Sequence, residues 1–150
     1  MNIFSDTLAH LQSSLDGLVR DLKEDGVDEF RYTQQFIADN GYDEECLDLY
    51  TSKGVYPYGY FTDMNRFTET CLPPRTAYYN DLTEEALPQA DYATAQRVWN
   101  KFQLQTLGDL CHLYVKSDVL LLSDVFSKYR SEAISNYGLD PLHYFTAPCN

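Results

Sequence analysis

A chain of 150 residues is long enough for one domain with its own core and too short for two comfortable ones. With 23 acidic residues against 11 basic ones it carries a net charge of −12, so taken alone it repels a phosphate backbone, and any DNA affinity has to come from elsewhere. The first 10 residues lack a basic start followed by an apolar run, and no stretch approaches the roughly 18 apolar residues of a membrane span, so the protein is expected to be soluble and intracellular.

In chain order, Ile3 and Phe4 favour the end of a strand over residues 2–4. A serine of the Ser13-Ser14 pair can cap a helix in which Leu15, Leu18, Val19 and Leu22 recur at helical spacing, with Gly26 as the stop. Residues 27–40 are mixed, with Phe30, Phe36 and Ile37 as anchors of a short helix or irregular segment. Residues 43–51 form a second short helix ended by Lys53-Gly54, and Val55-Tyr56-Pro57-Tyr58-Gly59-Tyr60-Phe61 reads as an extended, packed loop. Cys71-Leu72-Pro73-Pro74 is a further break. A helix begins at Pro88 and shows Tyr92, Ala95, Val98, Trp99 and Phe102 on one apolar face. Thr106 caps a long helix that carries Leu107, Leu110, Tyr114, Asp118, Leu121 and Val125 and ends at Gly138 and Pro141.

Tyr114 and Asp118 stand four apart on that helix, hence on one face about one turn from each other. A carboxylate so placed can hold a divalent metal while the phenol hydrogen-bonds the attacking water or the scissile phosphate. The spacing is common in a chain with thirteen tyrosines, and the plain alternative is a solvent-facing aspartate after a core tyrosine. The run Tyr114-Val115-Lys116-Ser117-Asp118-Val119-Leu120-Leu121-Leu122 shifts the balance, because a carboxylate in such apolar company requires compensation. Asp124 is turned to another face and Asp109 is a solvated partner near the helix start. His10, His112 and His143 are scattered and read as structural or exposed. The aromatic cluster over residues 56–61 can stack bases, but with few basic residues interleaved it is read as packing, and Trp99 as core. Cys46, Cys71, Cys111 and Cys149 form no C-x-x-C pair and are expected as buried, reduced thiols.

Leu72-Pro73-Pro74, Val98-Trp99-Asn100-Lys101-Phe102, the run around Asp118, and Asn136-Tyr137-Gly138-Leu139-Asp140-Pro141 followed by Tyr144-Phe145-Thr146-Ala147-Pro148 together resemble family B DNA polymerases. The likeness is to the protein-primed type carried by Maverick/Polinton transposons, related viruses and linear plasmids. Lys53-Gly54-Val55-Tyr56-Pro57-Tyr58 fits the same group. The resemblance covers nearly the whole chain, with its segments in the right order.

The resemblance implies that Tyr114 and Asp118 are the third motif of a 3′–5′ proofreading exonuclease, with Asp118 on a catalytic Mg²⁺ or Mn²⁺ of the complete enzyme. Thr7-Leu8 resembles the motif that steadies the single-stranded primer end, which makes Thr7 and Leu8 the DNA-binding candidates. On this reading residues 1–138 are the C-terminal part of the exonuclease domain and residues 139–150 begin the connection to the polymerase palm. The two earlier exonuclease motifs lie upstream and the palm downstream. The parent fold is α/β and ribonuclease-H-like, this piece mainly α-helical with one or two short strands. Partners of the complete enzyme are a DNA primer-template, nucleotides and a terminal priming protein, with no membrane. One aspartate cannot hold two metal ions, so this chain alone is expected to be inactive. The contrasting expectation is a non-catalytic remnant, or an acidic helical module that packs against protein partners.

Overall fold

The computed structural model describes residues 13–52, 54–81 and 83–143. The chain is mainly helical, and among the described residues the only β pairing is an isolated antiparallel bridge between Asn80 and Glu85. The strand expected at residues 2–4 lies outside the described residues. No helix among them is long and apolar enough to cross a membrane.

Five α-helices carry the architecture: α1 Leu15–Asp25, α2 Arg31–Asp39, α3 Glu44–Tyr50, α4 Gln89–Lys101 and α5 Leu107–Tyr137. They fall into two compact units. One comprises residues up to Gln35 together with those from Val119 onward, and the other is Phe36–Asp118. Both α2 and α5 run through the boundary.

In the first unit, Ser14 caps α1 by accepting from the Gly17 backbone N–H at 3.2 Å, so the second of the two serines is the cap. Gly26 ends the helix with a φ of 126°, which a side chain would resist. The apolar stripe of α1 buries Val19 and Leu22 against Phe30, Leu121 and Val125, with Leu15, Leu18, Leu122, Phe126 and Tyr129 packed around them. Burying five such side chains stabilises the unit by about 1.5–3 kcal/mol each before chain entropy opposes it. Lys128 reaches Glu29 at 3.0 Å, and Arg130 grips Asp140 at 2.6 Å just past the end of α5. These pairs are partly exposed and add little by comparison.

In the second unit, Asp43 caps α3 by accepting from the Cys46 N–H at 3.0 Å. Its carboxylate also accepts from Lys101 of α4 at 2.8 Å, and Lys101 reaches Glu45 at 2.6 Å. The lysine holds the Asp43 carboxyl down to about 2. Phe36, Tyr42, Tyr50 and Phe102 pack as a ring cluster, with Tyr42 edge-on to Phe102 at 4.9 Å and Phe36 5.3 Å from Tyr50. The start of α5 is set by a reciprocal cap: Thr106 Oγ1 accepts from the Asp109 N–H, while the Asp109 carboxylate accepts from the Gln105 and Thr106 N–H groups at 3.0 Å each. A loop carbonyl, that of Glu69, receives the Leu107 N–H at 2.9 Å, and Leu107 is fully buried. Asp109 is therefore a capping residue, more than the solvated neighbour expected from the sequence. Trp99 is half-buried, short of the core position expected for it. Of the cysteines, only Cys46 is buried; Cys111 is half-buried, Cys71 is exposed, and Cys149 lies outside the described residues.

Candidate functional site

Tyr114 sits half-buried in the second unit, and the loop that follows α3 shapes its surroundings. The ring of Tyr56 stacks on it at 4.5 Å and 22°. The stack continues through Phe61, 5.0 Å from Tyr56, to Phe67, 4.9 Å further on. Tyr58 stands edge-on to Tyr114 at 5.9 Å, and the two hydroxyls share a hydrogen bond. On Gly54, a Cβ would lie 2.8 Å from Tyr114 Cε2, so the ring occupies the space any larger residue would need. The aromatic run expected to pack does pack, and its purpose is local: it fixes the Tyr114 phenol. Tyr58 is the exception in being 70% exposed, so its ring edge faces solvent beside the Tyr114 hydroxyl. Burial, the Tyr58 hydrogen bond and the charge of Asp118 all push the Tyr114 phenol upward, so it stays protonated and able to donate.

Asp118 lies one turn on, along the stripe of α5 that carries Leu110 and Tyr114. It is half-buried, and among the described residues no side chain or backbone group donates a hydrogen bond to it. Burial alone pushes its carboxyl above the ordinary 3.8. A partnerless, half-desolvated carboxylate is an unfavourable feature of a folded chain, and a cation would compensate it.

For a divalent ion the donor set of this chain is incomplete. Asp118 fits as one oxygen ligand, and the buried hydroxyl of Tyr50 in the same unit also lacks a hydrogen-bond partner. Among the described residues, no three His, Cys, Asp or Glu side chains come close enough together to hold a metal. This chain supplies one ligand, not a complete shell.

The carboxylate that α5 buries completely is Asp124, which corrects the view that Asp118 is the aspartate submerged in apolar company. Asp124 is 1% exposed and accepts from the Tyr32 N–H at 2.7 Å, the Thr33 N–H at 3.1 Å and Thr33 Oγ1 at 2.6 Å. These are first-turn donors of α2, whose N-terminal flank is Phe30, a residue with no capping atom. Asp124 does face away from Asp118, as its six-residue offset requires. Its partner is a helix terminus rather than a metal. The only sequence signal for this was a helix start without a local cap.

His112 and His143 are exposed, His10 lies outside the described residues, and so do the DNA-binding candidates Thr7 and Leu8.

Comparison with protein-family models, with curated proteins and with solved structures finds no match.

The state of Asp118 has a pH signature. Its folded pKa is raised, so between 3.8 and that raised value the folded state binds more protons than the unfolded state, and stability falls as pH rises through the window. Asp118→Asn removes this loss. Urea midpoints from about pH 3 to about pH 7 should therefore show the variant gaining on the parent chain with rising pH, then running level. A variant that is relatively less stable at neutral pH than at acid pH would contradict the assignment.

Proposed function

We propose that this chain is part of the 3′–5′ proofreading exonuclease of a protein-primed family B DNA polymerase, with Tyr114 and Asp118 as its third exonuclease motif. The observation that carries the reading is the partnerless, half-buried Asp118 one turn from a phenol that three neighbours hold in place. Structural residues satisfy their own hydrogen bonds, as Asp124 and Asp109 do; Asp118 keeps its oxygens available. The mainly helical content fits a piece of a ribonuclease-H-like α/β domain whose sheet is formed elsewhere.

In the complete enzyme a bound Mg²⁺ or Mn²⁺ would supply Lewis acidity. Asp118 would contribute one carboxylate to that ion. The Tyr114 hydroxyl, kept protonated and oriented by Tyr58, would donate to the attacking water or a scissile phosphate oxygen. Thr7 and Leu8 would steady the single-stranded primer end. The primer-template, nucleotides and a terminal priming protein belong to the complete polymerase. By itself the chain is not expected to hydrolyse DNA.

The competing reading is a non-catalytic acidic module, favoured by the lack of a three-residue metal group among the described residues. Calorimetric titration with Mn²⁺ separates the two. The chain should release binding heat that Asp118→Ala lacks; identical heats from both would remove the metal role and leave the interaction module.

A further inference from the structure

The loop between α3 and α4 contains a polar triangle that the site described above does not use. Arg66 donates to the Tyr60 hydroxyl and to Glu69 Oε1, each at 2.8 Å, and the Tyr60 hydroxyl donates to Glu69 Oε2 at 2.7 Å. The guanidinium also lies over the Tyr60 ring, 4.3 Å from its centre. Each member is bonded to the other two, an arrangement in which polar groups reinforce one another. All three side chains are half-buried.

Tyr60 precedes Phe61 and Arg66 precedes Phe67, and these two phenylalanines stack 4.9 Å apart at the far end of the Tyr114 stack. The polar pair and the aromatic pair therefore run side by side along the loop. From Phe61 the stack passes to Tyr56 at 5.0 Å and from Tyr56 to Tyr114 at 4.5 Å. The loop also meets the first turn of α5, the helix that carries Tyr114. Glu69 lends its carbonyl to the Leu107 N–H at 2.9 Å, and a Cβ on Gly108 would lie 3.1 Å from the Phe67 carbonyl. Between residues 54 and 79 the described chain has only short 3₁₀ helices. No long helix or strand ladder fixes these rings, and side-chain bonds have to.

We infer that Arg66 is a positioning residue for Tyr114, closing the triangle that spaces Phe61 from Phe67 and so sets the stack on which the phenol rests. The catalytic role of Tyr114 rests on the proposed exonuclease reading; the coupling of Arg66 to Tyr114 belongs to the chain itself. Without the guanidinium, Tyr60 and Glu69 keep one bond between them and the Arg66 segment is released, so Phe67 can slide against Phe61. A displacement of about 1 Å passed on to a catalytic group can cost about 100-fold in rate.

The test uses the full chain with ¹³Cζ-labelled tyrosine, the Tyr114 signal being assigned by its loss in Tyr114→Phe. Arg66→Met, which keeps an apolar stem over the Tyr60 ring, should shift the Tyr114 resonance and leave Tyr32 and Tyr137 of the other unit in place. Tyr60→Phe deletes the hydroxyl but retains the ring, and should shift Tyr114 in the same direction while the chain still melts cooperatively. The double variant should shift Tyr114 no further than the larger single change, because the triangle is already open. A Tyr114 signal that stays in place in both single variants overturns the inference, as does a double variant whose shift is the sum of the two. In the full-length protein, if the exonuclease reading holds, Arg66→Met should lower kcat for digestion of a single-stranded 3′ end by up to about 100-fold with KM unchanged. A raised KM with kcat unchanged would make Arg66 a substrate contact and overturn the positioning role. If Tyr114 moves in the chain while digestion by the full-length protein is unchanged, the coupling stands and the exonuclease reading falls.

Discussion

Asp124→Ala is expected to destabilise the chain by about 3 kcal/mol, the largest effect of any single polar substitution here. The carboxylate is fully buried and accepts three hydrogen bonds, two of them from backbone groups that α2 cannot satisfy within itself. An ordinary exposed cap contributes about 1 kcal/mol. Here removal also leaves the Thr33 N–H and hydroxyl buried without an acceptor, and it takes a negative charge away from the positive end of the α2 dipole. Asp124→Asn should fall between the two, because its amide can accept from one N–H but presents donors to the other. Urea unfolding measures both variants, and amide exchange at Tyr32 and Thr33 should quicken in the alanine variant before global unfolding does. A loss below about 1 kcal/mol would show that α2 finds another cap.

That bond explains much of what the sequence disclosed and what it withheld. The helices α1, α4 and α5 were legible because their determinants are local: a serine or threonine before a 3.6-residue apolar stripe, a proline at the start, a glycine at the end. The long helix expected from Thr106 to Gly138 spans Leu107–Tyr137, and Gly138 closes it with a φ of 65° and an N–H bonded to Ile134 O at 2.9 Å. Residues 27–40 looked mixed because the cap of α2 comes from a residue 91 positions away from Thr33. No window along the chain contains both partners. The same distance made Asp118 and Asp124 hard to rank. Both stand among aliphatic residues, and helical phase separates their faces without saying which face meets a helix terminus and which is left without a partner. Composition could not single out Tyr50 and Tyr78, since thirteen tyrosines look alike until the fold buries these two hydroxyls without a hydrogen-bond partner.

Gly54 presents the same problem for a glycine. After a short helix it reads as a stop, and alanine should then be harmless, because its backbone does not lie in the left-handed region. The structure gives another reason for it. A Cβ would lie 2.8 Å from Tyr114 Cε2, and the ring cannot easily retreat, with Tyr56 stacked at 4.5 Å and Tyr58 bonded to its hydroxyl. Gly54→Ala must therefore push the loop outward or turn the phenol, at a cost of about 1–3 kcal/mol. The two outcomes differ in their consequences. An outward loop breaks the Tyr58–Tyr114 hydrogen bond, while a turned ring moves the hydroxyl away from the face it shares with Asp118. Either one disturbs the phenol that stands one turn from the partnerless carboxylate. Tyr114→Leu, with a shorter side chain, should relieve the contact, so Gly54→Ala and Tyr114→Leu together should be less destabilising than their sum by about 0.5–3 kcal/mol. Additive losses in a denaturation cycle would mean that Gly54 acts through the loop alone. If the proposed exonuclease reading holds, Gly54→Ala in the full-length protein should depress digestion of a single-stranded 3′ end more than nucleotide addition, because the clash lies at Tyr114. Equal loss of both activities would instead point to a folding defect, and the melting curve of the same variant decides between them.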